Sequence, residues 1–270
     1  MFHVIIPARF GSSRLPGKPL ALIGDSPLIQ WVWRSAVASG AASVLIATDD
    51  ERIRTAASKF GAECLMTSAH HASGTDRIAE VVRLKGFTAE EVVVNLQGDE
   101  PAMPPEVISK VAQGLSESAS RGGASANMVS ADSASADVAC ADMASAVSPI
   151  ESLQEFLDPN CVKALRSGSG RALYFSRAPV PWPRESIVNG APTSFAGAWR
   201  HIGIYAYRVR TLLQFAAWPP TPLETTEKLE QLRALEHGMH IHLVTLTQAP
   251  PAGVDTPADL ERARAELLKR

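Results

Sequence analysis

The sequence has few cysteines, no excess of charge of either sign and no long apolar run. Its three cysteines, Cys64, Cys140 and Cys161, lie far apart among 270 residues, which argues against a disulfide framework or a zinc site and favours a reducing cytoplasm. A net charge of −2 provides no basic field for nucleic acid or for an anionic membrane surface. No apolar run approaches the roughly 18 residues that span a bilayer, so no membrane segment is expected. The chain opens directly into a predicted strand that Arg9 interrupts, so no secretory signal is expected either.

Two common phosphate-binding fingerprints are also missing. There is no G-x-G-x-x-G, and the loop at 9–19 departs from the P-loop pattern G-x-x-x-x-G-K because five residues separate its glycines and Pro19 follows its lysine. The loop nevertheless carries three cations, Arg9, Arg14 and Lys18, directly after a predicted strand. A cationic, glycine-containing loop at the carboxyl end of a strand is typical of a phosphate cradle. The alternative is a surface loop whose cations are merely solvated.

Strand and helix patterns alternate through the first half of the chain. Apolar runs at 4–6, 44–47 and 92–96 predict buried strands, and helical periodicity between them predicts helices. This alternation predicts an α/β fold with a doubly wound, mostly parallel sheet. The second half shows a hairpin signal at 162–177, a proline-rich loop and a strand at 201–207, which predict a smaller mixed β subdomain.

Carboxylates follow several predicted strands, at the end where parallel sheets bind ligands. Asp99 comes just after the most uniformly apolar strand. Asp255 precedes a complete capping box at 256–259 and is therefore free for another role. Asp49 and Asp50 also follow a strand, but capping the next helix is their favoured role.

The second half contributes further polar candidates. Arg177 ends the predicted hairpin, and His201 and Tyr205, four residues apart on one strand, share a face. Together they could line a polar pocket, although each alone is typical of a structural residue. A single helix is predicted from Pro222 to His237.

The cationic loop and the carboxylates together suit transfer of a nucleotide or phosphoryl group. Magnesium is usually held by one or two carboxylates together with substrate phosphates. Cations and magnesium neutralise the charge that builds on phosphorus and its leaving group. Their separation in the sequence does not by itself pair Asp99 with Asp255.

Eight segments carry a resemblance to a known family. They are Ile6–Pro19, Ala47–Asp50, Ser73–Arg77, Asn95–Pro101, Ala172–Arg177, Arg200–Tyr205, Leu229–Arg233 and Gly253–Pro257. In this order they resemble the motifs of the 3-deoxy-manno-octulosonate cytidylyltransferases, the CMP-Kdo synthetases. The resemblance covers nearly the whole chain. It departs from the family only in the Ala- and Ser-rich region around 122–141, which is longer than the family needs and contains no site motif.

The resemblance implies a role for each candidate residue. The nucleotide CTP would be held by Pro7, Ala8, Arg9, Arg14, Lys18, Ser73 and Gly74, with Arg9, Arg14 and Lys18 on its triphosphate and the others near its cytosine. The sugar acid would be held by Arg77, Gln97, Arg177, His201, Tyr205, Glu230 and Gln231. Asp99 and Asp255 would bind Mg²⁺. The catalytic set would be Arg9, Lys18, Asp99 and Asp255.

The resemblance also implies a reaction, a fold and an assembly. CTP and 3-deoxy-D-manno-octulosonate (Kdo) would give CMP-Kdo and pyrophosphate, which activates the sugar for lipopolysaccharide synthesis. The fold would be a Rossmann-like nucleotidyltransferase fold, and the assembly a cytoplasmic homodimer. The open alternatives are a cytidylyltransferase for 8-amino-Kdo or sialic acid, and a nucleotide-sugar binding protein without catalysis.

We expect one nucleotidyltransferase domain over 1–270. Residues 1–115 would mainly bind nucleotide, and 116–146 would form a variable insertion, either mobile or an extended hairpin. Residues 150–208 would bind the sugar and form the dimer interface, and 209–270 would return to the sheet.

Overall fold

The computed structural model describes residues 1–11, 14–124 and 141–269. The chain forms two compact units, which are described one at a time. Unit 1 comprises residues 1–112, 204–216 and 250–270, and unit 2 comprises residues 113–203 and 217–249. The functional partition expected from the sequence stays a prediction.

The described residues form thirteen strands and nine α-helices. The strands are β1 (Phe2–Ala8), β2 (Leu22–Ile23), β3 (Ser26–Pro27), β4 (Ser43–Thr48), β5 (Glu63–Met66), β6 (Val92–Asn95), β7 (Met143–Pro149), β8 (Lys163–Arg166), β9 (Ala172–Ser176), β10 (Ile187–Val188), β11 (Ala191–Pro192), β12 (Trp199–Arg208) and β13 (Ile241–Thr245). The helices are α1 (Leu28–Ala38), α2 (Glu51–Lys59), α3 (Gly74–Lys85), α4 (Pro105–Ala124), α5 (Leu153–Leu157), α6 (Val209–Ala217), α7 (Pro222–Glu227), α8 (Gln231–Glu236) and α9 (Pro257–Leu267). None of the helices in the described part of the chain is both long and apolar enough to cross a bilayer.

The sheet of unit 1 is mostly parallel, as predicted. Strands β5, β4, β1 and β6 pair in that order, all in parallel, and residues 205–208 of β12 pair antiparallel with β6. Val4, Ile5 and Ile6 of β1 are fully buried, as expected of a central strand in a parallel sheet. Because β1, β4 and β6 run in one direction, the loops that follow them leave the same edge of the sheet.

Three helices of unit 1 begin with side-chain caps. Helix α3 begins with a reciprocal capping box between Ser73 and Asp76, and α9 begins with the same arrangement between Thr256 and Asp259. The Asp50 side chain accepts a hydrogen bond from the backbone N–H of Arg52 and caps α2. Asp255 does not cap α9, so its side chain has another role.

Unit 2 contains the predicted hairpin. Strands β8 and β9 pair antiparallel, and Trp199 and Arg200 of β12 pair with β8. Strand β13 pairs in parallel with β7.

Two secondary-structure predictions are wrong. The helix expected from Pro222 to His237 is split into α7 and α8, because Lys228 takes a left-handed φ of 55° and ends α7. The variable insertion expected at 116–146 begins inside α4 and ends inside β7. Burial of the Ala and Ser side chains of β7 outweighs their weak strand propensity. The remainder of that region, 125–140, lies outside the described residues.

The two described cysteines, Cys64 and Cys161, are free thiols. Burial raises the pKa of Cys64 and of Cys161 to about 11, so both thiols are protonated at neutral pH. Cys140 lies outside the described residues.

Candidate active site

A cavity of about 410 Å³ lies in unit 1, where the loops after β1 and β6 meet the start of α3 and the segment before α9. It is lined by Pro7, Ala8, Arg9, Arg14, Lys18, Pro19, His71, Ala72, Ser73, Gly74, Arg77, Gln97, Gly98, Asp99 and Asp255. The lining includes every residue predicted to bind nucleotide or metal. It also includes two of the residues predicted to bind the sugar, Arg77 and Gln97.

Two glycines allow these loops to approach each other. A Cβ on Gly98 would lie 2.7 Å from the carbonyl oxygen of Pro7, and one on Gly253 would lie 3.1 Å from the carbonyl oxygen of Asp99. The backbone N–H of Val254 donates to that same Asp99 oxygen at 2.8 Å. A side chain at either glycine would force the backbones apart. The close approach brings Asp255 beside Asp99.

The cationic loop is anchored on Phe10. Gly17 has a left-handed φ of 70°, and its N–H donates to the Phe10 carbonyl at 3.1 Å. A Cβ on Gly17 would lie 3.1 Å from the Phe10 ring, and the Arg52 guanidinium stacks on this ring at 3.3 Å from its centre. This turn sets the start of the short 3₁₀ helix Lys18–Leu20 and therefore the position of Lys18.

Lys18 joins the two predicted metal ligands. Its ammonium lies 2.8 Å from Asp99 Oδ2 and 3.1 Å from Asp255 Oδ1, and its side chain is only 13% exposed. Burial lowers the pKa of Lys18, but attraction to Asp99 and Asp255 outweighs burial, so its pKa is raised above the usual value. The exposed Arg14 reaches the other oxygen of Asp255 at 3.1 Å. Arg9 is exposed at the cavity wall.

The donor set suits a hard divalent cation. Asp99 and Asp255 both touch one ammonium group, so a single cation is within reach of both carboxylates. Mg²⁺ prefers one or two carboxylates completed by phosphate oxygens and water. Among the described residues, no group of three His, Cys, Asp or Glu side chains forms a closed metal site of the protein's own.

Arg77 is buried and held by two side chains. Its guanidinium donates to Asp49 Oδ2 at 3.1 Å and to the hydroxyl of Thr67. The interpretation of Asp49 as a helix cap is therefore wrong, since Asp50 is the cap and Asp49 pairs with Arg77. The sequence offered no signal for this pair, because Asp49 follows β4 and Arg77 lies on α3, 28 positions further along the chain.

Gln97 is also oriented by a neighbour. Its amide nitrogen donates to Asn95 Oδ1 at 2.8 Å, and Asn95 is buried at the end of β6. Tyr205, on β12, stands opposite Asn95 in the strand register. Sequence reasoning missed Asn95 because a strand-end asparagine has no distinctive spacing.

Comparisons with known proteins bear on the whole chain. Residues 3–241 match the model of a family described as cytidylyltransferase. The chain is 47% identical over 270 residues to the 3-deoxy-manno-octulosonate cytidylyltransferase of Cellvibrio japonicus and 48% identical over 268 residues to that of Pseudomonas fluorescens. Each alignment covers 98% of this chain and 98% of the relative.

The chain belongs to the 3-deoxy-manno-octulosonate cytidylyltransferase family. It is therefore a nucleotidyltransferase, as its motifs predict. A solved CMP:2-keto-3-deoxy-manno-octonic acid synthetase in complex with CTP is 37% identical and has a TM-score of 0.83, covering 100% of this chain and 99% of the other. A cytidylyltransferase from Leptospira borgpetersenii is 14% identical with a TM-score of 0.58, covering 100% of this chain and 87% of the other, and shares the fold alone.

Four residues of the predicted sugar set of this cytidylyltransferase lie in unit 2. Of these, Arg177 is bound to backbone carbonyls: Nε donates to the Glu227 oxygen at 2.6 Å, Nη1 donates to the Pro159 oxygen at 2.9 Å, and Nη2 lies 3.5 Å from the Lys228 oxygen. Its own backbone N–H donates to the Glu227 carboxylate at 2.9 Å. Arg177 thus holds the turn between α7 and α8 in place.

The other three are Glu230, Gln231 and His201. Glu230 lies 3.5 Å from the Arg233 guanidinium, which also holds Glu224 at 2.6 Å. Gln231 is 4% exposed, and its amide nitrogen has no hydrogen-bond partner among the described residues. His201 is partly buried, and loss of solvent around its ring lowers its pKa to about 3, so the imidazole is neutral at physiological pH.

Proposed function

We propose that the chain transfers CMP from CTP to the anomeric hydroxyl of Kdo. The observation that carries the proposal is the cluster of Lys18, Asp99 and Asp255 at the wall of the unit 1 cavity. The named relatives, aligned over nearly their full length, support the choice of CTP and Kdo as substrates. The product would activate the sugar for lipopolysaccharide synthesis.

The reaction forms one bond to the α-phosphorus and breaks another. The anomeric oxygen of Kdo attacks, the bond from α-phosphorus to the bridging oxygen of pyrophosphate breaks, and the hydroxyl proton is released. Lys18, Arg14 and Arg9 hold the triphosphate and neutralise negative charge as it moves onto the leaving group. Most of the rate enhancement therefore comes from positioning and charge stabilisation.

Asp99 and Asp255 would hold Mg²⁺ together with phosphate oxygens of CTP. The ion would add positive charge at the phosphates when bound. The Lys18 ammonium bridges the same two carboxylates, so its positive charge offsets their mutual repulsion when no metal is bound. The phosphates of CTP would complete the ligands of the ion. The Lys18 ammonium lies beside the carboxylates, and therefore close to the place where those phosphates would bind.

Each unit, taken by itself, has polar side chains that suit a sugar acid. In unit 1, Arg77 and Gln97 line the cavity. In unit 2, the buried amide of Gln231 has no partner within the described part of the chain, and it is a donor that a sugar oxygen would satisfy. A buried amide left without a partner is unfavourable by about 1–3 kcal/mol, so a ligand at this point gains affinity.

We also propose a cytoplasmic homodimer. Three large apolar side chains of unit 2 are more than half exposed in the region expected to form the interface: Leu173, Trp182 and Val188, at 58%, 53% and 58%. Exposed apolar side chains of this size are typical of a surface that a partner covers.

One assay tests the substrates. Purified full-length protein is mixed with CTP and Mg²⁺, and pyrophosphate release is measured with Kdo, 8-amino-Kdo or sialic acid. We expect the highest kcat/KM with Kdo. A higher kcat/KM with one of the other acids would show that this acid, and not Kdo, is the preferred substrate. If no pyrophosphate is released with any of the three acids, the proposed function is overturned.

Asp99→Asn tests the proposed metal site. We expect turnover to fall by about 10²–10³-fold, the usual effect of losing one group that stabilises transition-state charge. Asp25→Asn is the matched control, since Asp25 is exposed in the same unit and does not line the cavity. Near-normal turnover of Asp99→Asn with Mg²⁺ would show that Asp99 is not a metal ligand.

A further inference from the structure

His71 lines the cavity of unit 1, but the proposed reaction gives it no role. It lies between β5 and α3, two positions before the Ser73 that begins the capping box. Its side chain is partly exposed, at 21%, whereas the neighbouring His70 is exposed to solvent and does not line the cavity. Of these two adjacent histidines, only His71 is therefore placed to contact a ligand in the cavity.

One ring nitrogen of His71 is bound to Glu80 of α3. Nε2 pairs with Oε2 of Glu80, and the same oxygen accepts a hydrogen bond from the backbone N–H of Ser68 at 2.9 Å. Ser68, His71 and Glu80 all belong to unit 1. Glu80 thus joins the helix to both ends of the segment 68–71 and fixes the position of the imidazole.

The charge of Glu80 decides which atom carries a proton. Loss of solvent raises the pKa of the Glu80 carboxyl, but hydrogen bonds from His71 and from the Ser68 backbone outweigh this effect, so its pKa is lowered below the usual value. The carboxylate is ionised at neutral pH, and an ionised carboxylate only accepts hydrogen bonds. Nε2 of His71 must therefore carry a proton. Within the described part of the chain, the His71 side chain makes no other hydrogen bond, so Nδ1 is the ring nitrogen that remains for a ligand.

A hydroxyl group is the ligand that suits this nitrogen best. Nδ1 accepts a hydrogen bond when the ring is neutral and donates one when the ring is protonated. An ionised phosphate oxygen only accepts and would pair with the protonated ring alone. The amino group of cytosine only donates and would pair with the neutral ring alone. A hydroxyl both donates and accepts, so it can pair with Nδ1 in either state.

We propose that His71 binds a ribose hydroxyl of the nucleotide through Nδ1, and that Glu80 is the positioning residue that holds the imidazole for this contact. This inference rests on the proposed function for the identity of the nucleotide. The cavity wall places His71 in the same short stretch as Ser73 and Gly74, which are predicted to lie near the base, and it also includes Lys18, which is assigned to the triphosphate. The ribose joins the base to the triphosphate, so it falls between the residues assigned to each.

Binding without turnover measures this contact directly. We would titrate the full-length protein with CTP, 2′-deoxy-CTP and 3′-deoxy-CTP in the presence of Mg²⁺ and without sugar acid, and measure each Kd by calorimetry. We expect the wild type to bind CTP about tenfold more tightly than at least one of the deoxynucleotides, the usual effect of one hydrogen bond. His71→Phe keeps a ring without nitrogen atoms and should abolish this preference. Equal affinities for all three nucleotides in the wild type, or a preference that persists in folded His71→Phe, would overturn the proposal.

Variants of Glu80 separate positioning from folding. Glu80→Ala frees the imidazole and should reduce the preference for CTP to about twofold, whereas Glu80→Gln keeps an acceptor oxygen for Nε2 and should retain it. Loss of stability alone weakens the binding of all three nucleotides alike and does not change their ratio. An unchanged ratio in Glu80→Ala would overturn the positioning role of Glu80. His70→Ala is the matched control, and loss of the preference in that variant would overturn the assignment to His71.

Kinetics identify the substrate that carries the hydroxyl. His71→Phe should raise the KM for CTP about tenfold, with little change in the KM for Kdo. A rise in the KM for Kdo alone would assign the hydroxyl to the sugar acid and overturn the proposal for the ribose. If the wild type binds CTP but releases no pyrophosphate with any of the sugar acids, the proposed function fails, while the result on nucleotide binding stands.

Discussion

In unit 1, Lys18, Asp99 and Asp255 contact one another at a cavity wall, whereas in unit 2 the predicted sugar ligand Arg177 holds backbone carbonyls. Lys18 bridges Asp99 and Asp255 through groups that solvent and ligands can reach. Arg177, by contrast, gives three of its donors to carbonyl oxygens of its own chain. A charged side chain in a family motif therefore does not by itself indicate contact with the ligand.

The two kinds of contact differ in whether a ligand can take the place of one partner. Two charged side chains at a cavity wall can separate when a phosphate or a metal ion binds one of them, because the new partner neutralises the same charge. A carbonyl oxygen that loses a guanidinium donor has no such replacement, and its desolvation is unfavourable. We thus expect substitutions in unit 1 to change catalysis and most substitutions in unit 2 to change stability first.

The largest effect that sharpens this comparison is expected from Lys18→Ala. Loss of the ammonium removes one cation from the triphosphate and leaves Asp99 and Asp255 unbalanced, so kcat/KM for CTP should fall about 100-fold or more. The KM for Kdo should change little. Initial rates at varied CTP and varied Kdo give both values.

Lys85→Ala is the control for this variant. Lys85 is in the same unit and pairs with Glu63 at 2.8 Å, but it does not line the cavity. Its kinetics should match those of the wild type. Equal losses for CTP and Kdo in Lys18→Ala would contradict a role for Lys18 on the triphosphate.

The next effect tests unit 2 directly. Arg177→Lys keeps the charge, but one ammonium cannot reach the carbonyls of both Pro159 and Glu227 as the guanidinium does. The free energy of unfolding should fall by about 2 kcal/mol, as expected for two lost hydrogen bonds from a charged donor. Urea denaturation measures this change, with Arg184→Lys, at an exposed position, as the control.

The same variant can break the comparison. If Arg177 instead binds the carboxylate of the sugar acid, Arg177→Lys should raise the KM for Kdo while stability stays at the wild-type value. That outcome would mean that Arg177 in unit 2, like Lys18 in unit 1, serves substrate binding and not stability.

The sequence predicted the parts of the site that depend on local patterns. The parallel sheet, the capping box before α9 and the exclusion of Asp255 from capping all follow from short-range spacing, and the structure confirms them. The cationic loop was identifiable because its charges are close together in the chain. The pairing of Asp99 with Asp255 came only from the resemblance, since two residues so far apart share no local signal.

What the sequence could not predict depends on tertiary contacts. The break at Lys228 divides a region whose apolar spacing fits one helix. Lys228 adopts a left-handed φ of 55° although it is not a glycine, so no glycine marks the break in the sequence. The contact between Ser145 and His201 joins two strands 56 positions apart. The partner of Arg77 was also missed, because Asp49 and Asp50 are chemically identical and only the fold distinguishes them.

The smallest effect separates those two neighbouring aspartates. Asp49→Asn removes the charge opposite the buried Arg77 guanidinium but keeps a hydrogen-bonding side chain, so Arg77 loses part of its orientation at the cavity wall. We expect kcat/KM to fall about tenfold, the effect of weakening one charged hydrogen bond. Asp50→Asn is the control: asparagine caps a helix about as well as aspartate, so this variant should leave the kinetics unchanged. Steady-state rates and urea denaturation of both variants give the result. Equal kinetic effects from Asp49→Asn and Asp50→Asn would mean that Asp49 acts on stability alone. Arg77 would then be held in place by other parts of the protein, as Arg177 is in unit 2.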